Sequence, residues 1–188
     1  EGPPTWEILP QEAAPGEVIL SKRNELGVFS NFTLAPFEYL GKHYNSIEGL
    51  WQMMLYPEKS LEGKPDPRAK AKGIEWKHTR DEVSQMVAFE AKTAGDEAYK
   101  NMQTMKIDWV SFEGKRFIYW TPEKGQQYKI IRGAMVEKLK QHPEIQKLLL
   151  STGTLILKPA HDQATDPQPS WKCREIWMTL LDKLKKHQ

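Results

Sequence analysis

Cysteine is nearly absent from this chain of 188 residues. Cys173 is the only one, which excludes an internal disulfide framework, and no CxxC, HExxH or paired Cys/His spacing offers a structural metal site. Charge of one sign is lacking too. The 27 Lys and Arg stand against 25 Asp and Glu, a formal net charge of +2, so no overall basic field recommends a nucleic-acid backbone as partner. No apolar run approaches the ~20 residues needed to span a bilayer, and the chain reads as a soluble protein with no membrane partner. GxxxxGK[ST], GxGxxG and GxSxG are missing as well, which removes kinase, dehydrogenase and serine-hydrolase readings. The sequence opens on Glu1 rather than Met. A cytoplasmic location is expected, with a removed signal peptide left open.

What is abundant is aromatic. Seven Trp, six Tyr and six Phe, with 39% hydrophobic residues overall, exclude global disorder and supply the core of one ordinary domain. Residues 1–16 hold Pro3, Pro4, Pro10 and Pro15, a density that denies a regular ladder or helix and reads as a proline-rich lead-in arm. Residues 17–188 read as the domain.

Along that domain, Val18 to Leu20 and Phe37 to Leu40 read as short strands, and Gly41 marks a hairpin turn before Tyr44. Ser46 caps a predicted helix from Ile47 to about Leu55, stopped by Pro57, with Ile47, Leu50, Trp51 and Met54 as its buried stripe. Tyr56 to Arg68 reads as loop. Thr79 with Glu82 forms a capping-box pattern that opens one long helix toward Met105, with Gly95 as its expected break. Trp109 to Phe112 and Arg116 to Trp120 flank a glycine-bearing turn, a hairpin signal. A helix through Tyr128, Ile131, Met135 and Leu139 ends at His142 before Pro143, and a short one runs on to Leu150. Thr154 to Leu157 reads as a strand, and a terminal helix carries Ile176, Trp177, Leu180, Leu181 and Leu184. The fold class is α+β: a single compact, helix-rich domain with a small sheet.

Several residues could carry chemistry. Glu48 falls at the edge of its helix's apolar stripe, and Gln52 lies one turn on along the same side. A carboxylate and an amide at i, i+4 beside a large ring suit the rim of a small polar pocket, although the helix dipole alone favours an acid in a first turn. Asn31, in Phe29-Ser30-Asn31-Phe32, sits between two rings, where a buried amide must find partners in backbone, water or ligand; an ordinary turn amide fits equally. His161-Asp162 enters a proline-rich loop, with Asp166 competing for the same role and a solvated loop pair as the plainer account. Trp109 and Trp120 bracket the hairpin, and either could stack on a base, core packing being the default. Trp171 and Trp177 are expected to bury against the sheet. Lys183, Lys185 and Lys186 complement a helix C-terminus.

Phe29-Ser30-Asn31-Phe32, Pro36-Phe37 before Gly41 and Tyr44, and Ser46-Ile47-Glu48 with Gln52 resemble the opening block of the NADAR family, also called YbiA-like. Ala91-Lys92-Thr93-Ala94-Gly95, a tryptophan, Met135 to Leu139, Gln141-His142, Leu148-Leu149-Leu150, Thr152 and a last helix entered near Arg174 resemble its second half. The resemblance covers about residues 18 to 184. It implies an α+β enzyme, an N-glycosidase that hydrolyses the bond between a ribosyl group and a base, with no metal or organic cofactor. The implied partners are small ribosylated nucleobases: phosphoribosylamino-pyrimidine intermediates of riboflavin synthesis or ADP-ribose-type ligands, with ADP-ribosylated nucleic acid a further form. Carried over by position, Glu48 and Asp162 are the catalytic acids, and Phe29, Ser30, Asn31, Gln52 and Trp109 line the substrate, with Trp120 the second choice of ring. The sequence departs from the family at Gly49, commonly His, at Leu55, commonly Lys, and at Lys158, commonly acidic. Those departures motivate the alternative, a module that binds ADP-ribose or a nucleotide without cleaving it.

Overall fold

A computed structural model describes residues 2–161 and 169–188. Asp162 and Asp166 lie outside the described residues. The chain runs β1 (Glu17–Ile19), β2 (Phe37–Tyr39), β3 (Lys42–Tyr44), α1 (Ile47–Met53), β4 (Ser60–Leu61), β5 (Lys64–Pro65), α2 (Arg80–Ser84), α3 (Ala88–Met105), β6 (Trp109–Phe112), β7 (Lys115–Ile118), α4 (Gln126–Gln141), α5 (Pro143–Ser151), β8 (Ile156–Lys158) and α6 (Cys173–Lys186). Short 3-10 turns occur at Pro10–Glu12, Glu25–Phe29, Pro67–Lys70 and Pro169–Trp171. The α+β class holds, and its β component is four two-stranded ladders among the described residues. Three are hairpins between neighbours in sequence. The fourth joins β1 to β8 in parallel, with Val18 opposite Leu157, and an ion pair from Lys158 to Glu17 closes it at 3.4 Å. The first segment is tied to the same edge, since Ile8 N–H donates to Ala160 O and Arg23 grips the Glu7 carboxylate.

Helix α1 is the centre of the fold. Ser46 Oγ accepts from the Gly49 amide at 3.0 Å, the capping bond its position predicts, and its hydroxyl donates to Met86 O at 2.9 Å. Every residue of α1 except Glu48 is buried, so the helix is surrounded by α2, α3 and α4 rather than laid on a core by one stripe. Gly49 is what permits this. A Cβ there would stand 2.5 Å from Met86 O, closer than any carbon approaches a carbonyl oxygen. At its far end α1 offers a free carbonyl at its cap, and arginines take that one and one in the turn that follows. Arg68 donates to Met54 O and Arg80 to Tyr56 O, while Arg68 also pairs with Asp66 at 2.8 Å.

The long helix expected from Thr79 to Met105 is two helices. The Thr79–Glu82 capping box forms as expected, but the chain breaks between Ser84 and Ala88 rather than at Gly95. Tertiary bonds enforce the break: Met86 O is engaged by Ser46, Ala88 N–H donates to Phe32 O, and Ala88 takes a positive φ of 52°. Gly95 sits in unbroken helix, and the Gln52 side chain occupies the space a Cβ would fill there. The stretch from Tyr56 to Arg68 also differs from expectation, since it contains the β4–β5 hairpin. Trp177 is fully buried and meets Phe29 edge-on at 5.2 Å, its indole N–H donating to Phe29 O. Trp171, expected to be buried, is 37% exposed. Among the described residues no helix is long and apolar enough to cross a membrane.

Candidate active site

Glu48 stands on the first turn of α1. Its side chain is held by Gln52, whose amide Nε2 donates to Glu48 Oε1 at 2.8 Å; the i, i+4 spacing on a helix makes that contact. Its backbone N–H donates to Asn31 O at 2.9 Å. Asn31 in turn donates from Nδ2 to Cys173 Sγ at 3.1 Å, and its Oδ1 is buried without a partner. Glu48, Gln52 and Asn31, three of the residues expected at the site, are thus brought together, and Cys173 of α6 joins them. Ser30 contributes backbone, since its carbonyl accepts from Lys138 Nζ at 3.2 Å and its hydroxyl accepts from Phe32 N–H. Phe29 is committed to the core against Trp177.

Burial pushes the Glu48 carboxyl above its ordinary value of 4.5, opposed by the Gln52 hydrogen bond and by the ammonium groups of Lys92 and Lys22. Lys22 is itself lowered, chiefly by burial, and its Nζ lies 4.2 Å from the centre of the Phe32 ring. Burial raises the Cys173 thiol to about 11 and lowers Lys138 to about 8. At neutral pH Cys173 is therefore a thiol and a poor nucleophile.

The ring beside Glu48 is not the tryptophan the sequence suggested. Trp109 stands opposite Ile118 and Val110 opposite Phe117, so residues alternate between two faces of the hairpin. Trp109 falls on the face that carries Ser111 and Arg116, with the guanidinium groups of Arg68 and Arg116 at 4.7 and 4.5 Å from its ring centre. Its ring is thus engaged by two cations. The ladder continues through Tyr119 N–H to Asp108 O, which puts Tyr119 on the inner face with Val110 and Phe117. There it meets Trp51 at 5.6 Å and Tyr99 at 5.5 Å. Burial, Tyr99 and Glu48 raise its hydroxyl to about 12. Trp171 lies edge-on to Trp51 at 6.4 Å. Trp120 is 45% exposed and makes none of these contacts. Tyr119, Cys173 and Lys138 were missed from sequence. Period-two alternation in the hairpin was the signal for Tyr119, while only the fold brings Cys173 and Lys138 here.

The three departures each serve the framework. Gly49 admits α2, Leu55 is 1% exposed in the core, and Lys158 pairs with Glu17. A separate cleft of about 590 Å³ opens between Tyr56, Trp76, Glu97 and Asn101. At ~100° per residue Glu97 is about 200° around α3 from Gly95, so this cleft is on the other side of the helix from Gln52. Among the described residues no three His, Cys, Asp or Glu side chains cluster as metal ligands would.

The arrangement offers a carboxyl held above its usual range, amides that fix it, ammonium groups within its field and a wall of rings. No protein-family model matches the chain, and no curated protein is similar to it. Among solved structures, the fold is similar to the NMR structure of the Escherichia coli protein YbiA, over 89% of this chain and 83% of that one, with a TM-score of 0.50 and 16% identity. At that identity the likeness is one of fold.

Proposed function

We propose that the protein belongs to the NADAR family and is an N-glycosidase that releases a base from an N-ribosyl compound. The observation that carries the reading is the half-buried Glu48 carboxyl, bonded to Gln52 and joined through its backbone to Asn31; the YbiA-like fold supports it. Breaking a ribosyl C–N bond builds positive charge on the sugar, and electron density moves to the leaving base. Glu48, ionised, stabilises that cation and takes a proton from the incoming water. The water oxygen bonds to the anomeric carbon as the C–N pair leaves with the base. Asp162, placed by the resemblance as the later acidic residue, or a bound water supplies the proton to the base. Asn31 Oδ1 accepts from a ribose hydroxyl, Lys22 and Lys92 attract phosphate oxygens, and Tyr119 with Trp51 forms the stacking wall in place of Trp109.

The test is mass spectrometry of free base and ribosyl product after incubation with NAD, ADP-ribosyl-guanosine and a phosphoribosylamino-pyrimidine. Wild type is expected to release base from at least one. Glu48→Gln is expected to stay folded and lose ~10²-fold or more of the rate, the scale of acid–base help. Near-normal turnover by that variant removes Glu48 from the chemistry. A second reading, ligand binding without cleavage, is favoured by Gly49 and Leu55, which spend on packing the positions where NADAR proteins commonly carry His and Lys. Tight binding with no base released by wild type supports it.

A further inference from the structure

Polar atoms without partners occur on α4, on the turn before α6 and at Asn31. Both side-chain atoms of Gln127, Oε1 and Nε2, are buried and unbonded, as are Ser170 Oγ and Asn31 Oδ1. Gln127 is 1% exposed and Ser170 2%. Native proteins pair nearly all buried polar groups, so a carboxamide with neither end engaged requires an explanation. Position supplies one. Gln127, Ile131, Ala134 and Lys138 are all buried and recur at the spacing of a single helix face. At its Lys138 end that face meets Ser30 O and the field of Cys173. The Pro169–Trp171 turn, which carries Ser170, packs on α4 and leads directly to Cys173, the acceptor for Asn31. Its Trp171 touches Trp51, one turn from Glu48.

We infer that Gln127 is a specificity-determining residue that reads the base of the bound ligand, with Ser170 Oγ adding a third polar contact. The inference rests on reading the Glu48 site as one for N-ribosyl compounds. A carboxamide holds a donor and an acceptor side by side. Its complement is a planar heterocycle with an adjacent acceptor and donor on one edge, the match that Gln and Asn make with base edges elsewhere. A site whose buried polar groups are met only by the right ligand rejects analogues that lack those groups. Leaving them unmet in the free protein lowers its stability.

The experiment uses calorimetric binding of UMP, GMP and AMP, with ribose 5-phosphate as the base-free probe, to the full chain carrying Glu48→Gln so that turnover does not intervene. At least one nucleotide is expected to bind about tenfold or more tighter than ribose 5-phosphate. Adding Gln127→Leu is expected to erase that preference while leaving Tm unchanged or higher, because an unmatched buried amide has been removed. Should the leucine variant fail to fold, Gln127→Met, which keeps a linear side chain of similar length, takes its place with the same expectation. Equal affinity for base-bearing and base-free probes overturns the inference. So does a preference that survives loss of the amide, and a fall in Tm alongside a retained preference marks Gln127 as purely structural. Wild type that shows the preference yet releases no base sinks the N-glycosidase reading and leaves this one standing.

Discussion

Glu48 holds its proton to higher pH in the folded protein than the ordinary carboxyl value of 4.5, chiefly because it is buried. Between those two values the native state binds more protons than the unfolded chain, so stability falls as pH rises through the window. Above it the ionised group is a standing cost. Glu48→Gln keeps the acceptor for Gln52 and is expected to melt higher than wild type at pH 7.5, with the gap closing toward pH 4; scanning calorimetry at the two pH values checks this. An equal difference at both would mean that burial does not perturb the acid. Tyr119 yields a second expectation. Tyr119→Ala removes the ring against Trp51 and is expected to raise KM about tenfold for a base-bearing substrate, from the ~1–3 kcal/mol of a stacking contact. Trp109→Phe, on the face opposite Tyr119, leaves KM unchanged, and the reverse pattern would return Trp109 to the site. Glu48 and Gln52 were legible because helix spacing alone pairs them. The ring was not, because the prominence of Trp109 and Trp120 outweighed an alternation that was there to be counted.

At the scale of elements, α1 and the β2–β3 and β6–β7 hairpins were readable because cap, glycine turn and hydrophobic period agree locally. The interruption between α2 and α3 was not, since it depends on Ser46 and Phe32, residues 40 or more positions away in sequence. Two glycines where α1 meets its neighbours separate packing from positioning. In Gly49→Ala the new Cβ meets the carbonyl oxygen of Met86 at 2.5 Å, backbone that moves only if α1 and α2 part; a loss of ~1–3 kcal/mol is expected, seen as a lower denaturation midpoint. In Gly95→Ala the obstacle is the end of the Gln52 side chain, which swings away. Helix propensity favours alanine by about 1 kcal/mol, so stability is expected to hold while turnover falls, because Gln52 leaves Glu48. Chemical denaturation and initial rates on the same preparations distinguish the two; a Gly95→Ala protein with normal rates would free Gln52 of its positioning role.

Across the whole molecule, composition and period reach the α+β class, but the pairing that closes it is hidden. β1 and β8 are three residues each and lie about 140 positions apart, a parallel contact no local pattern specifies. The buried Asp66–Arg68 pair is equally unreadable, since both residues sit in a stretch that looks like exposed loop. Burial pushes the Asp66 carboxyl up, yet hydrogen bonds from Arg68 and from the amides of Glu58 and Arg68 outweigh it and hold the group below 3.8. Its stabilising contribution is present above that value and disappears as pH drops through the lower native one. Asp66→Asn strands the buried Arg68 and is expected to cost ~3–5 kcal/mol, measured by urea unfolding at pH 7; a loss under ~1 kcal/mol would show that Arg68 finds enough in Met54 and Ser111.

The parallel clasp also has a bearing on synthesis. Asn31, Glu48 and Gln52 leave the ribosome before Leu157 and the turn that carries Ser170, which follow more than a hundred residues later. A nascent chain at that intermediate length has the acid but neither the far strand nor the turn before α6, so the fold closes only once the late segments emerge, and contacts of such long reach make that closure slow.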